Sequence, residues 1–379
     1  MYQETQALKQ AIIIAAISSR AYVQAAFEAG FDIIAIDAFA DVDTQAKCKQ
    51  VFQVDVQNGQ FDAQQLIAVI NEIDLSHCLN LCLGLCFGAG FEAQPDLLVA
   101  ISERIPLLGN TPQTVLACKN PRLLAEFCAA NHIAMPAIQF TRPINTLGWL
   151  QKQIGGSGGE HIKPVLPLVK TVLSQEMLNN QVVYYQKVQA GTPYSCLFLA
   201  YQKKSQVIGF NEQWCTPTSA QPYRFGGAVS HAELNEQVKK TISEVIVKAT
   251  AFFGLNGINS CDFLLHDNDI YLLEINPRLS ATIGLYACKK ANLLAAHVQT
   301  CEGNLQRWPV VEKQAHAMQI VYANDTVFVP IDIDWPDWVC DIPQPNSEIP
   351  AGTPICTVVA DARTAKLAKQ KVLQRAASL

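Results

Sequence analysis

Three oxygen-bearing side chains in the second half of the chain, Asp262, Glu274 and Asn276, stand at a spacing that can hold a cation. Ile258 to Leu265 reads as a strand, His266 to Asp269 as a turn, and Ile270 to Asn276 as the returning strand of a hairpin. Asp262 and Glu274 then meet across the hairpin, and Glu274 and Asn276, two apart, share one sheet face. Two carboxylates and an amide among apolar neighbours are the hard-oxygen set that Mg²⁺ takes. Carboxylates so close repel unless a cation holds them. A polar rim at the hairpin end is the plainer alternative. Pro277 ends the strand, and Arg278 follows with a planar guanidinium suited to a phosphate or carboxylate.

Upstream, Lys152 precedes Gly155-Gly156-Ser157-Gly158-Gly159. Such a loop is either a flexible linker or a mobile lid whose backbone amides wrap phosphates, and the nearby lysine favours the lid. Gly88-Ala89-Gly90-Phe91-Glu92 is a glycine-rich turn after an apolar run, where open α/β sheets bind ligands; a tight turn with a solvated Glu92 is equally open. Arg224 has glycine neighbours at 226 and 227 that leave room for a second substrate. Ser230 reads as a helix N-cap, with Glu233 completing a capping box before a helix from about Ala232 to Phe253. His77, Cys78, Cys82 and Cys86 lie in an apolar run at spacings wider than zinc pairs, which points to packing.

The elements that must position these residues alternate. Ile12 to Ile17 is a continuous apolar strand, a helix follows from Arg20 towards Gly30, and Asp32 to Asp37 is a second strand. A helix over Ala63 to Ile73 and an apolar run over Cys78 to Phe87 repeat the unit, so the start of the chain is a parallel βαβ sheet. Ile17-Ser18-Ser19-Arg20-Ala21 lacks the G-x-G-x-x-G turn, which speaks against an NAD-type site there. Asp37 occupies a ribose-binding position or simply caps a turn. A helix over Asn120 to Asn131 and a strand over Ala134 to Phe140 lead towards the lid.

With 379 residues the chain suggests two or three domains. Hydrophobic residues are 50% and charged residues 16%, which excludes a disordered chain. No apolar run reaches the ~20 residues of a membrane span, and Met1 to Ala11 resembles neither a signal nor a transit peptide. The net charge of −5 argues against nucleic acid as a partner. Thirteen scattered cysteines read as reduced thiols, and the expected location is the cytoplasm. Trp308, Trp335 and Trp338 lie in a proline-rich tail and pack inward; a surface for a second protomer, giving a homodimer, is the alternative.

Asp262 and Glu274-Ile275-Asn276-Pro277-Arg278 together resemble the metal and phosphate signature of the ATP-grasp superfamily. Within it the chain looks most like the ATP-dependent carboligases related to biotin carboxylase, which Gly90-Phe91-Glu92 and Gly109-Asn110 also resemble. The resemblance implies an α/β protein with an α+β middle. Its parts are a Rossmann-like domain over residues 1–110, a split ATP-grasp domain over 111–300 with a lid at about 135–205, and a small β-rich lobe over 301–379. It implies ATP and Mg²⁺ (or Mn²⁺) as cofactors. Lys119 and Lys152 resemble the phosphate lysines, Gly155, Gly156, Ser157, Gly158 and Gly159 the lid, and Gln186, Lys187 and Val188 the adenine hinge. Asp262, Glu274 and Asn276 resemble the metal ligands, and Arg278 the catalytic arginine, with Lys152 assisting; Glu92 and Arg224 are substrate candidates.

The implied reaction is phosphorylation of a carboxylate to an acyl phosphate, then attack by an amine or thiol with release of ADP and phosphate. Gln186 departs from the glutamate that many relatives carry, and Gly191-Thr192-Pro193 replaces an acidic ribose ligand. Biotin carboxylases have a glutamate base four residues after the arginine, and this chain has Thr282 there. That favours carboxylate–amine ligation, and the resemblance, by analogy alone, links it to cofactor biosynthesis in one-carbon metabolism. A carboxylase and a non-catalytic nucleotide-binding protein are the alternatives.

Overall fold

The computed structural model describes residues 9–73, 82–167, 182–286, 291–305, 308 and 314–379; His77 and Cys78 lie outside them. Near the N-terminus, Ala11–Ala16 pairs in parallel with Asp32–Asp37 on one side and Cys82–Phe87 on the other, and Gln50–Gln53 extends the sheet. Every residue of Ala11–Ala16 is buried. Helices cover both faces, so the strand gains nothing from polar alternation. Arg20–Glu28 packs Tyr22, Val23 and Ala26 against Ile12 and Ile14. Ala63–Glu72 and Pro95–Ser102 pack Leu66, Ile70, Leu98 and Ile101 against Ile13 and Ile34 on the opposite face. Buried Asp37 accepts the backbone N–H groups of Ser19, Phe39 and Ala40 at 2.6, 2.7 and 2.8 Å. It therefore closes the turns at two strand ends, as the capping alternative requires.

The centre of the molecule is an eight-stranded antiparallel sheet. Its order is Asp269–Asn276, Gly257–His266, Thr192–Tyr201, Lys204–Cys215, Phe225–Ser230, Ala315–Tyr322, Pro354–Ala362 and Val339–Cys340. Helix Glu236–Phe253 buries Val238, Ile242 and Ile246 against Phe198 and Phe263 on one face. The C-terminal strands continue this sheet instead of forming one of their own, and helix Ala365–Ala377 seals them with Ala368 and Val372. Trp308 is buried, Trp335 and Trp338 are partly buried in core clusters, and Arg375 lies over the Trp338 ring at 5.2 Å. A separate four-stranded sheet, in the region expected to form the lid, has the order Ile138–Gln139, Val183–Lys187, Trp149–Gln153 and Lys163–Pro164.

One helix boundary corrects the sequence expectation. Ser230 is the last residue of a strand, and its hydroxyl accepts from the His316 N–H at 2.9 Å. The helix starts six residues later at Glu236, capped by Asn235, whose side chain accepts from the Val238 N–H. Pairing of Ser230 with Asn211 in Lys204–Cys215, together with its His316 bond, outweighs a capping preference worth about 1 kcal/mol. Described cysteines are free thiols, and Cys215 is the exposed one. Among the described residues no helix is long and apolar enough to cross a membrane.

His297 ties these parts together. Its Nδ1 accepts from the Ile258 N–H at 2.9 Å, so Nε2 carries the proton and donates to the Leu108 carbonyl at 3.0 Å. Burial pushes the ring down to about 4 from the ordinary 6.5, because protonating Nδ1 would evict the Ile258 N–H. Above 6.5 the ring is neutral in both folded and unfolded chains. Below it the unfolded chain takes up the proton first, so stability falls as pH drops from 6.5 towards 4. The slope is at most about 1.4 kcal/mol per pH unit from this residue. We expect urea midpoints to fall over that window, and His297→Gln to flatten the slope. A slope unchanged by the substitution would assign the acid sensitivity elsewhere.

Candidate active site

Each functional side chain is set by a local device. Lys119 is the C-cap of helix Pro112–Cys118, which starts at Thr111 with proline at its first position. The next helix, Pro121–Ala130, begins at once behind its own cap, Asn120. Lys119 therefore sits in a two-helix corner at the negative end of the first helix dipole. Its ammonium, nearly inaccessible, donates to Glu274 Oε2 at 3.1 Å and to Asn276 Oδ1 at 2.5 Å.

The hairpin forms where the sequence places it, with Asp262 directly opposite Glu274 and Ser260 opposite Asn276. Beyond that pair the register shifts, Phe263 pairing with Leu272, so Leu273 is an extra residue in a bulge. The bulge keeps Phe263 and Leu272 in the core while both carboxylates stay on the pocket face. Asn276 Nδ2 lies 2.9 Å from Asp262 Oδ2 and 3.4 Å from Glu274 Oε1. Burial and the neighbouring Glu274 raise the Asp262 carboxyl above its ordinary range. Burial also pushes Glu274 up, but Lys119 and Lys152 outweigh it and hold that carboxyl low.

Those donors fit a hard divalent cation in chemistry. Among the described residues no group of three or more His, Cys, Asp or Glu is arranged to hold a metal. The hairpin offers two carboxylates, with substrate and water oxygens left to complete a shell. Asn276 turns its Nδ2 towards the carboxylates, and Lys119, which can only donate, fixes that orientation. To act as a ligand, Asn276 must rotate its amide by half a turn.

Lys152 comes from the lid strand Trp149–Gln153, opposite Tyr184 in register. Its ammonium is buried and donates diagonally to Gln186 Oε1 at 3.1 Å. Burial lowers the affinity of Lys152 for its proton, opposed by Glu274 and Asp262. The glycine loop follows. At Gly155, with φ +76°, a Cβ would stand 2.5 Å from the Glu92 carbonyl and 2.6 Å from Ala93 Cα; at Gly159, with φ +78°, it would stand 2.0 Å from the Tyr223 carbonyl. Gly158 accepts from the Phe225 N–H at 2.9 Å. Glycine is thus required where the loop touches the N-terminal domain on one side and the long sheet on the other. Ser157 belongs to the same turn, and Gly156 faces the ring of His161, a residue whose sequence neighbourhood carried no signal beyond the nearby glycines. Burial and Lys152 push His161 down to about 4, so it is neutral at pH 7. Tyr184 on the pocket wall was likewise not singled out by the sequence.

Arg278 extends the cluster to the N-terminal domain. Its Nε donates to Glu92 Oε1 at 2.8 Å and Nη1 to the Leu279 carbonyl at 3.1 Å. Glu92 Oε2 accepts from the Gly90 and Phe91 N–H groups at 2.8 and 3.2 Å. Glu92 is therefore buried, its carboxyl pushed up by burial but held below the usual range by Arg278 and Lys119. It orients Arg278, which leaves the solvated-glutamate alternative behind. Next to it a cleft of about 1340 Å³ opens between Lys119, Glu92 and Gln94 and the hairpin around Asn58, with Arg122 stacked 3.7 Å over Phe140.

Two expected contacts are arranged differently. Arg224 is buried, donating to the Thr216 and Gly352 carbonyls at 3.1 Å each, with its guanidinium 3.7 Å over the Tyr322 ring. It fastens the C-terminal segment to the long sheet. At the hinge, the Lys187 N–H goes to the Ala137 carbonyl and the Val188 N–H to Gly148, so these donors already serve the lid. The Lys187 ammonium reaches the Leu147 carbonyl at the surface. Only Gln186 turns its side chain into the pocket that Lys119, Lys152 and Glu274 share.

Residues 118–282 match the family model of the ATP-grasp domain. Over 366 residues, 92% of this chain and 87% of the relative, the sequence is 22% identical to an uncharacterized protein of Methanocaldococcus jannaschii. The fold is similar to the biotin carboxylase domain of the Hydrogenobacter thermophilus 2-oxoglutarate carboxylase, solved with MgADP, ADP and bicarbonate. That match has a TM-score of 0.73 at 11% identity over 97% of this chain and 90% of that one. L-amino acid ligase from Bacillus licheniformis superposes with a TM-score of 0.69 at 12% identity over 97% of each chain. Residues 118–282, with their lysines, acidic hairpin and glycine loop in one pocket, are thus similar to the ATP-grasp domain, in a chain whose overall fold is that of the ligases and carboxylases above.

Proposed function

We propose that the chain is an ATP- and Mg²⁺-dependent ligase that activates a carboxylate as its acyl phosphate and joins it to an amine, releasing ADP and phosphate. The observation that carries this reading is the convergence of Lys119, Lys152, Asp262, Glu274 and Glu92-held Arg278 beneath a glycine loop. Phosphoryl transfer needs positioning and charge neutralisation, and this set supplies both. A covalent route has no support: Cys118, the thiol in the pocket wall, is pushed up to about 12 by burial and stays protonated.

Asp262 and Glu274, with Asn276 after its rotation, would hold Mg²⁺, which when bound neutralises the phosphate oxygens and aligns them. Lys119 and Lys152 bind the phosphate chain, and the glycine loop excludes water from it. Arg278, held in place and oriented by Glu92, faces the acceptor carboxylate and stabilises the charge that develops on transfer. The cleft beside Glu92 and Arg122 receives the carboxylate and then the amine. Thr282, four residues after Arg278, pairs its hydroxyl with Ser280 at 2.9 Å. It offers no base, which favours amide formation over a bicarbonate reaction.

The test is a screen of carboxylate–amine pairs read by nucleotide products. ADP and phosphate in equal amounts, dependent on both substrates, are expected. AMP and pyrophosphate would overturn the acyl-phosphate route. Mg-ATP alone is expected to raise the melting temperature, since a ligand of the native state stabilises it.

A further inference from the structure

Gln186 is 3% exposed and its two amide ends are treated differently. Oε1 accepts from the Lys152 ammonium at 3.1 Å. Lys152 can only donate, so the amide cannot be turned round without losing that bond. Nε2 is therefore the end left over, and it is buried without a hydrogen-bond partner among the described residues. An orphaned buried donor is destabilising, so its place on a ligand pocket wall calls for an acceptor on the ligand. A glutamate here would offer only acceptors and would place a second charge on Lys152; glutamine offers a donor and leaves the lysine's charge for phosphate.

The nature of that acceptor follows from the neighbours. With the phosphates at Lys152, an anti purine nucleotide directs the edge carrying N7 and the C6 substituent to the same side as its 5′-phosphates. That edge is N7 acceptor plus N6 donor in adenine, and N7 plus O6 acceptors in guanine. We propose that Gln186 Nε2 donates to this edge through N7, making Gln186 the residue that selects purines and admits guanine alongside adenine. The inference rests on the nucleotide reading of the pocket and adds its base specificity.

The experiment is calorimetric binding of ATP, 7-deaza-ATP and GTP, each with Mg²⁺, to the full chain, without turnover. Loss of one neutral hydrogen bond with its donor left buried corresponds to about 10-fold, so 7-deaza-ATP is expected to bind about 10-fold weaker than ATP. GTP is expected within about threefold of ATP, because both present N7 and guanine adds O6. Gln186→Met, which keeps the volume without the donor, is expected to erase the difference between ATP and 7-deaza-ATP, with a lowered melting temperature because Lys152 also loses its acceptor. Equal binding of ATP and 7-deaza-ATP to the unsubstituted chain overturns the inference, as does a difference that survives in Gln186→Met. Binding of ATP with GTP more than about 100-fold weaker overturns its guanine half. Failure of all three nucleotides to bind removes the functional reading itself, and this inference with it.

Discussion

Glu274→Gln is expected to lower kcat by about 10³-fold while moving the melting temperature by no more than about 2 °C. Glu274 accepts from Lys119, opposes Asp262 and is one of the two carboxylates available to a cation. On the proposed reading the substitution removes a cation ligand and the anion that keeps Lys119 oriented, both of which phosphoryl transfer would require. Its structural cost is small for two reasons. The side chain is about a third exposed, so its ion pair is partly screened. Its charge also works against Asp262, and neutralising it relieves that repulsion. Steady-state ADP release and thermal melts measured on the same preparation decide the matter. Activity within tenfold of the unsubstituted chain would exclude a metal role. Activity and stability lost in proportion would make the residue structural.

Arg278→Lys is expected to reduce kcat by about 10²-fold or more, and Glu92→Gln to reduce it similarly while destabilising the fold by about 3 kcal/mol. Arg278 uses Nε for Glu92 and Nη1 for the Leu279 carbonyl, so the plane of the guanidinium is set by two bonds made at once. A lysine keeps the charge but not the plane. The Glu92 side chain is 2% exposed and bridges the Gly90–Phe91 turn to Arg278. Removing its charge leaves a buried guanidinium without its counter-ion, which is the costly way to break an internal pair. Urea denaturation reports the stability arm and ADP release the catalytic arm. Full activity in Arg278→Lys would mean that charge alone suffices and that Glu92 serves folding only. Loss of activity in Glu92→Gln with unchanged stability would instead make Glu92 a direct substrate contact.

Local chemistry determined a good part of this protein. The hairpin over Gly257–Asn276 with its two facing acids, the continuous apolar strand Ala11–Ala16, the glycine loop after Lys152 and the proline-led helices around Lys119 are all readable from neighbours in the chain. Period-two alternation, N-cap chemistry and glycine's access to positive φ are properties of a few adjacent residues. Ser230 shows the limit of that reading, because its capping signal yields to a strand pairing with Asn211 and a bond from His316 that no local pattern announces.

Tertiary structure decided the pairings between distant residues. Arg278 meets Glu92 across 186 positions and Lys119 meets Asn276 across 157. Arg224 turns towards Gly352 and Tyr322 and away from any substrate. The C-terminal strands enter the central sheet, and Gln186, not the hinge backbone at Lys187 and Val188, faces the pocket. Charge pairs and buried donors depend on which surfaces the chain brings together, and that follows from packing of whole sheets against one another. The sequence by itself determined which chemical groups this protein has and which elements carry them. Only the folded chain decided which of those groups share a pocket, because desolvation and Coulomb interaction act through space and not along the backbone.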